Sequence, residues 1–185
     1  MLIAITGATG IDLAIKLLET LRKKKIETEL IISKNAEKVI TVETDYNISD
    51  IRKLANKNYD ANDLLAPPAS GSHKEENMIV IPCSMKSLSA IANGYANNLI
   101  TRAADVIIKE KRKLILVVRE TPFSAIHLSN MLKLAKIGVI ILPPIPSYYI
   151  KPKSVDELTE FTVGRILDHV GIDSEIKRWG NNYEG

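Results

Sequence analysis

The stretch LIAITGATGIDLAIKLL, residues 2–18, passes from an apolar run through a glycine turn into a helical pattern. Apolar residues without polar alternation are typical of a parallel strand that is covered on both faces. Gly7 and Gly10 bracket the turn, and the free N–H groups at the start of the following helix suit a phosphate group. The turn lacks the full G-x-G-x-x-G pattern, so a plain strand–helix connection remains an alternative.

The same succession of strand and helix continues along the rest of the chain. Further apolar runs lie at residues 28–32, 78–81, 114–118 and 138–142, and helical patterns at about 11–24, 34–43, 86–110 in pieces, 122–136 and 154–169. This alternation predicts an α/β fold of the Rossmann or flavodoxin-like type, a three-layer doubly wound sandwich with a mainly parallel sheet. Residues 60–76 are rich in Pro, Ser, Gly and charge, and they predict a long loop that is either a functional lid or disordered.

The composition favours one cytoplasmic domain. The chain has 185 residues, of which 45% are apolar and 25% charged, as in ordinary globular proteins. Cys83 is the only cysteine, so no intramolecular disulfide can form and a reducing cytoplasm is the expected compartment. The pattern predicts neither a signal peptide nor a membrane span. A net charge of +3 and 5% aromatic residues do not favour nucleic-acid binding, and no Cys/His cluster predicts a metal site.

Polar residues follow the predicted strands. Ligands of open α/β sheets bind beyond the carboxyl ends of the strands, so these residues are candidates for binding. Hydroxyl groups follow the first three strands, at Thr9, at Ser33 and within residues 84–87. Each of them can cap a helix or bind a phosphate. The fourth strand is followed by Arg119 and Glu120.

Cationic side chains on the predicted helices favour an anionic ligand. Arg102 and Lys109 share one helical face, and Arg165 lies on the apolar stripe of the last helix. A cation on such a stripe must be paired or bind an anion, so an aspartate partner and a ligand are both open for Arg165. Tyr149 follows three prolines in the loop after the fifth strand. With the hydroxyl-bearing turns, these residues predict one site for two phosphorylated ligands, with Glu120 as its carboxylate.

Eight motifs occur along the chain in one order and spacing: TGATG, ISKNA, VETD, SGS, PCSMKSLSAIANG, NLITRAADVIIKEKRKLILVVRETP, PPIPSYY and VGRILDHVGI. With them the chain resembles the flavin prenyltransferases of the UbiX type over nearly its whole length. Members of that family join the dimethylallyl group of dimethylallyl phosphate to reduced FMN without a metal, and the prenylated FMN serves UbiD-type decarboxylases. The resemblance implies the same reaction here, in a large homo-oligomer such as a dodecamer with sites shared between subunits.

The resemblance also implies roles for individual residues. Glu120 is the implied catalytic acid and base, and Glu43 a second glutamate near the reaction. The implied FMN-binding residues are Gly7, Ala8, Thr9, Gly10, Ser33, Ser84, Met85, Lys86, Ser87 and Arg102. The implied residues for dimethylallyl phosphate are Lys109, Arg119, Tyr149, Arg165 and, near the prenyl group, Trp179.

The chain departs from the family pattern at the first turn, where Thr9 replaces a serine. The hydroxyl is kept, so we expect binding to persist while the effect on rate stays open. Two alternatives remain: a flavin-dependent cysteine decarboxylase of related fold, whose histidine and Pro-Ala-Ser-Ala-Asn-type motif are not found here, and a non-catalytic FMN carrier. We expect a flavin-binding domain over residues 1–172 and a tail over 173–185 that packs on a neighbouring subunit.

Overall fold

The structure, a computed structural model, describes residues 1–180. The strands are β1 (Leu2–Ile5), β2 (Glu29–Ile32), β3 (Lys57–Asp60), β4 (Asn77–Cys83), β5 (Lys113–Val118) and β6 (Ile140–Ile141). The α-helices are α1 (Ile11–Lys23), α2 (Lys34–Glu43), α3 (Ile48–Arg52), α4 (Met85–Ala92), α5 (Leu99–Lys109), α6 (Ala125–Ala135) and α7 (Val155–His169). Short 3₁₀ turns lie at Pro67–Ala69 and Tyr148–Ile150.

The strands form one sheet in the order β3-β2-β1-β4-β5-β6, and every pairing is parallel. The predicted α/β class is therefore confirmed. The strand order reverses between β1 and β4, and in such sheets this reversal opens a crevice beyond the carboxyl ends of the strands.

Both faces of the sheet are buried, which explains the continuous apolar runs. In β1, Leu2 and Ala4 face one core with α4, α5 and α6, whereas Ile3 and Ile5 face a second core with α1, α2 and α7. Successive side chains of a strand point to opposite faces, so a strand between two helix layers needs an apolar residue at each position. The protein is thus a three-layer sandwich.

The structure corrects several predicted boundaries. The strand β3, with the sequence KNYD, was not predicted, because its side chains are mostly exposed and form no apolar run; it pairs with β2 through its backbone and through the Lys57–Glu29 ion pair. The short helix α3 was also missed. The predicted strand at 138–142 contracts to Ile140–Ile141, and the predicted helix at 122–136 begins at Ala125, where the Ser124 hydroxyl accepts a hydrogen bond from the His127 N–H.

The described part of the predicted tail packs on α7 of its own chain. The Ser174 hydroxyl donates to Asp168, and Lys177 Nζ donates to the Ile150 carbonyl. Packing on a neighbouring subunit stays a prediction, and residues 181–185 lie outside the described residues. None of the helices in residues 1–180 is long and apolar enough to cross a bilayer.

Candidate functional site

A cleft of about 440 Å³ opens beyond the carboxyl ends of β1, β2, β4 and β5, at the reversal of strand order. We call it the central cleft. Its lining includes seven residues that the sequence analysis singles out: Gly7, Ser33, Ser84, Met85, Lys86, Ser87 and Glu120. Ala8, Thr9 and Gly10 continue the turn that begins at Gly7. Residues from beyond the ends of the first four predicted strands therefore do lie together in one cleft, as predicted.

Thr6 ties the ends of two strands together at the base of the central cleft. This side chain is buried, and its hydroxyl donates to the Pro82 carbonyl (2.7 Å) and accepts from the Ser84 N–H (2.8 Å). Ser84 in turn caps α4, because its hydroxyl accepts from the Ser87 N–H at 3.3 Å. The start of α4 is thus held against the end of β1, next to the glycine turn that begins at Gly7.

The starts of α1 and α2 approach each other closely beside the cleft. Ser33 caps α2 by accepting from the Ala36 N–H at 3.1 Å. A Cβ atom on Gly7 would lie 2.7 Å from the Asn35 Cβ, a distance at which a side chain does not fit. Glycine at position 7 is therefore required for the first turn to lie against α2.

Glu43 lies at the end of α2 and reaches back to the glycine turn. Its carboxylate accepts a hydrogen bond from the Gly10 N–H at 3.0 Å. Gly10 has a φ angle of 99°, a left-handed conformation that favours glycine. The N–H at the start of α1 thus already contacts a carboxylate. The partial positive charge at a helix N-terminus favours such a contact with an anion.

Arg119 and Glu120 follow β5 and are both exposed. The Arg119 N–H donates to the Cys83 carbonyl at 3.1 Å, which extends the pairing of β5 with β4 by one residue. The Glu120 carboxylate lines the central cleft and accepts from the Thr121 N–H at 3.0 Å. Backbone pairing thus fixes where the strand ends, and the Glu120 side chain enters the cleft directly after it.

A second cleft, of about 550 Å³, lies between α7, the tail and the loop after β6. We call it the C-terminal cleft, and its lining includes Tyr149, Arg165 and Trp179. The Tyr149 ring packs edge-on against Phe161 and Trp179, with ring centroids 5.6 and 5.2 Å apart. This cleft therefore combines aromatic rings with cations.

Asp168 organises the cations beside the C-terminal cleft. Arg178 donates to both of its carboxylate oxygens, at 2.8 and 2.9 Å, and Arg165 donates at 3.1 Å. The hydrogen bonds from Arg178 hold the pKa of Asp168 at about 2, well below its usual range, and Ser174 and the Arg165 charge act in the same direction. The aspartate partner left open for Arg165 is thus present, yet Arg165 remains 46% exposed and accessible to a ligand.

The structure does not bring Arg102 and Lys109 into either cleft. Arg102 donates to the Ala69 carbonyl (3.0 Å) and pairs with Asp105, while Lys109 pairs with Glu110 beside Gly71. The predicted shared face of these two cations is correct, because both contact the loop before β4. The predicted meeting of all candidates in one site is wrong within one chain, since the candidates divide between the two clefts, this loop and the end of β5, where Arg119 lines neither cleft.

Sequence reasoning missed several polar residues at the two clefts. Asn98 lines the central cleft and caps α5 by accepting from the Thr101 N–H at 3.0 Å, a capping pattern that the letters N-x-x-T allow. Arg178 lines the C-terminal cleft beside Trp179. Nothing in the sequence around Arg178 signals its partner, because Asp168 lies ten residues away on another element.

Two further groups of reactive side chains lie outside the clefts. Cys83 is fully buried, and this burial raises the pKa of its thiol to about 12, so it stays protonated and is a poor nucleophile. Glu29, His73 and Glu75 bring ligand-type atoms within 4.8 Å of one another at the opposite edge of the sheet. Lys57 and the N-terminal amino group already pair with these two carboxylates.

Comparisons with known proteins identify relatives over nearly the whole chain. The family model described as Flavoprotein matches residues 1–167. The chain is 52% identical over 181 residues to "Flavin prenyltransferase UbiX" of Methanocaldococcus jannaschii, covering 97% of this chain and 98% of that protein. The crystal structure of AnUbiX (PadA1) in complex with FMN and dimethylallyl pyrophosphate superposes with a TM-score of 0.96 at 49% identity, covering 99% of this chain and 97% of the other. A dodecameric FMN-dependent UbiX-like decarboxylase from Escherichia coli O157:H7 superposes with a TM-score of 0.94 at 44% identity, covering 100% and 98%.

Proposed function

The chain belongs to the flavin prenyltransferase family of the UbiX type, and on this premise we propose that it joins the dimethylallyl group of dimethylallyl phosphate to reduced FMN. The observation that carries the proposal is the central cleft, where hydroxyl-capped helix starts and the Glu120 carboxylate surround one space at the reversal of strand order. Reduced FMN, when bound, supplies the electron-rich ring that receives the prenyl group.

The central cleft fits FMN in size and chemistry. Its volume of about 440 Å³ lies within the usual range for a small-molecule site. Ser33 and Ser84 begin α2 and α4 at its rim, and N–H groups at helix starts favour a phosphate. We assign FMN binding to Gly7, Ala8, Thr9, Gly10, Ser33, Ser84, Met85, Lys86, Ser87 and Arg102.

The C-terminal cleft fits the donor. An aromatic wall of Tyr149, Phe161 and Trp179 suits a dimethylallyl group, and the Arg165 guanidinium beside it suits a phosphate. We assign donor binding to Tyr149, Arg165 and Trp179 in this cleft and to Lys109 and Arg119 outside it. The crystallised relative AnUbiX holds dimethylallyl pyrophosphate, so both the monophosphate and the diphosphate belong in the assay.

A homo-oligomer would complete the site. The assigned FMN residues that line a cleft lie in the central cleft, whereas Tyr149, Arg165 and Trp179 line the C-terminal cleft, so the clefts of different subunits must face each other for the prenyl group to reach the flavin. The exposed apolar side chains of α6, including Ile126 (71%), Leu128 (53%) and Leu132 (56%), offer a surface for such contacts. The dodecameric E. coli relative supports an assembly of this kind.

The chain's own residues would carry the chemistry as follows. Lys109, Arg119 and Arg165 neutralise the phosphate as its bond to carbon breaks, because a monophosphate leaves poorly while its charge is uncompensated. Glu120 transfers a proton, either to the departing phosphate or from the flavin during ring closure. Glu43, held at the Gly10 N–H, supplies a second carboxylate near the glycine turn.

The cellular setting of the reaction extends the proposal. We propose that the product passes to a UbiD-type decarboxylase and that the protein acts in the cytoplasm. The family resemblance supports the first statement. The second stays a prediction from the sequence.

The decisive experiment compares Glu120→Gln with the wild type. Reduced FMN and either donor are mixed with protein under anaerobic conditions, and the flavin is analysed by mass spectrometry. We expect Glu120→Gln to bind FMN normally and to lose about 100-fold or more of its prenylation rate, the usual range for a general acid or base. Glu76→Gln, an exposed carboxylate beyond the far edge of the sheet, is the matched control and should retain full activity.

Two outcomes would contradict the proposal. Unchanged turnover in Glu120→Gln would remove Glu120 from the mechanism. FMN binding without any prenylated product in the wild type would favour the FMN carrier instead.

A further inference from the structure

The lining of the C-terminal cleft carries more positive charge than the residues assigned above provide. Besides Arg165 it includes Lys177 and Arg178, and no carboxylate is among the lining residues that the structure gives for this cleft. Asp168 lies behind the two arginines and is only 18% exposed. Asp168, and at longer range Asp173, compensate part of the charge, whereas the lining residues described for the cleft itself carry only positive charge.

The two arginines lie side by side. Both contact the same carboxylate oxygen of Asp168, Arg178 through Nη1 at 2.8 Å and Arg165 through Nη1 at 3.1 Å. A guanidinium group has five N–H donors. Arg178 donates twice to Asp168 and, at 3.5 Å, to the Ser174 carbonyl, and Arg165 donates once to Asp168, which leaves further donors on each group for a ligand.

Asp168 itself is firmly held. Ser174 donates to its second oxygen at 2.7 Å, and Asp168 belongs to α7 while Ser174 and Arg178 belong to the tail. The carboxylate thus joins a helix to the tail, and the positions of both arginines depend on it. Fixing a long arginine side chain in one geometry costs conformational entropy, and the bidentate contact with Asp168 fixes Arg178 in this way.

We propose that Arg178 binds the donor phosphate together with Arg165, and that Asp168 is the positioning residue that aligns the two guanidinium groups. The inference rests on the proposed function of the C-terminal cleft as the donor site. Two adjacent forked cations can bind different oxygens of one phosphate, or both phosphates of a diphosphate. Asp168 then acts on the donor only through the arginines.

The competing explanation is that Arg178 and Asp168 merely fasten the tail. The variant Asp168→Asn separates the explanations, because it raises the net charge of the cluster by one unit while removing the anchor. If bulk charge governed donor binding, the KM for the donor would fall in this variant. If positioning governs it, KM rises despite the added positive charge. A purely structural role lowers stability and leaves KM unchanged.

The experiment measures kcat and KM for dimethylallyl phosphate at saturating reduced FMN in the intact assembly. We expect Arg178→Gln to raise KM by about 10- to 100-fold, the effect of losing hydrogen bonds to a charged group, with FMN affinity unchanged. Arg178→Lys, which keeps the charge without the fork, should show an intermediate KM. Asp168→Asn should raise KM as well.

Lys74→Gln is the charge-matched control. Lys74 is exposed in the loop before β4 and lines neither cleft, so this variant should keep the wild-type KM. A KM within twofold of the wild type in Arg178→Gln, or an unchanged or lower KM in Asp168→Asn, would overturn the inference. Should Arg178→Gln fail to fold, Arg178→Lys decides in its place, and a wild-type KM in that variant overturns the inference too.

Calorimetry with dimethylallyl phosphate keeps this inference apart from the proposed function. A wild type that binds the donor without turnover would count against the proposed function alone. In that case, equal donor affinity in the wild type and in Arg178→Gln would overturn the role of Arg178, and a weaker affinity in the variant would support it.

Discussion

The substitution Gly164→Ala should displace the tail from α7. Gly164 is buried in α7, and a Cβ atom there would lie 2.2 Å from Cγ2 of Ile176, far inside van der Waals contact. Ile176 is β-branched and its side chain has little freedom to turn away. Overpacking of this kind costs about 1–3 kcal/mol, whereas alanine in a helix interior is favoured over glycine by about 1 kcal/mol. We therefore expect a net loss of about 1 kcal/mol in the free energy of unfolding.

A double-mutant cycle with Ile176→Ala isolates the contact. The double variant has room for the new methyl group and keeps the helix-forming benefit of alanine, so it should be less destabilised than the sum of the single variants by about 1–2 kcal/mol. The free energies are measured by urea unfolding of the four proteins. Val155→Ala, an exposed change in the same helix, should be additive with Ile176→Ala.

The functional part of this prediction follows from the position of the tail. Ile176 is two residues from Arg178 and three from Trp179, so a displaced tail should raise the donor KM in Gly164→Ala and leave FMN binding intact. A coupling energy below about 0.5 kcal/mol would refute the reasoning, because additivity is expected of sites that do not touch. It would mean that the tail accepts the methyl group without moving.

Two further changes test the local energetics. Thr6→Val keeps the shape of the buried side chain but leaves the Ser84 N–H without its 2.8 Å partner. We therefore expect the free energy of unfolding, measured by thermal unfolding, to fall by about 1–2 kcal/mol and FMN to bind more weakly. Thr41→Val, at an exposed helix position, should change the free energy of unfolding by less than about 0.5 kcal/mol. The pKa of Asp168 is lowered from 3.8 to about 2, so its ion pairs stabilise the fold above pH 4 and this contribution is lost as the pH falls through 2. Between pH 5 and 2 the free energy of unfolding, measured with urea, should therefore fall by about 2 kcal/mol more in the wild type than in Asp168→Asn. Parallel pH profiles of this free energy in the two proteins would contradict the assignment.

The sequence predicts the centre of the sheet better than its edges. Strands β1, β4 and β5 lie between two helix layers, so nearly every residue is apolar and the pattern stands out. The edge strand β3 has one neighbour and mostly exposed side chains, and it is held mainly by backbone hydrogen bonds to β2, with the Lys57–Glu29 ion pair and the partly buried Tyr59 beside them. Backbone hydrogen bonds are open to every residue type except proline, so they leave little pattern in the letters.

The same distinction applies to the candidate sites. Glu120 and Ser84 follow directly from strand ends, because parallel strands bring all their carboxyl ends to one edge of the sheet. Arg102 and Lys109 were expected at that edge, but α5 runs back from it, and Lys109 lies at the end of the helix just before β5 begins. Arg178 depends on a tertiary contact with Asp168 that no local spacing predicts.

The division into two clefts also bears on how Glu120 works. The central cleft collects hydroxyl groups, Lys34, Lys86 and the Glu120 carboxylate, whereas the described lining of the C-terminal cleft has three cations and no carboxylate. Within one chain, Glu120 accepts a hydrogen bond from the Thr121 N–H and lies apart from the C-terminal cleft. In the proposed assembly, the cationic cleft of one subunit meets the carboxylate of another, so the phosphate of the donor would arrive between them. Its negative charge then offsets the cations, and Glu120 can exchange a proton where the bond breaks. Subunit association, and not the fold of one chain, would thus create the reactive arrangement.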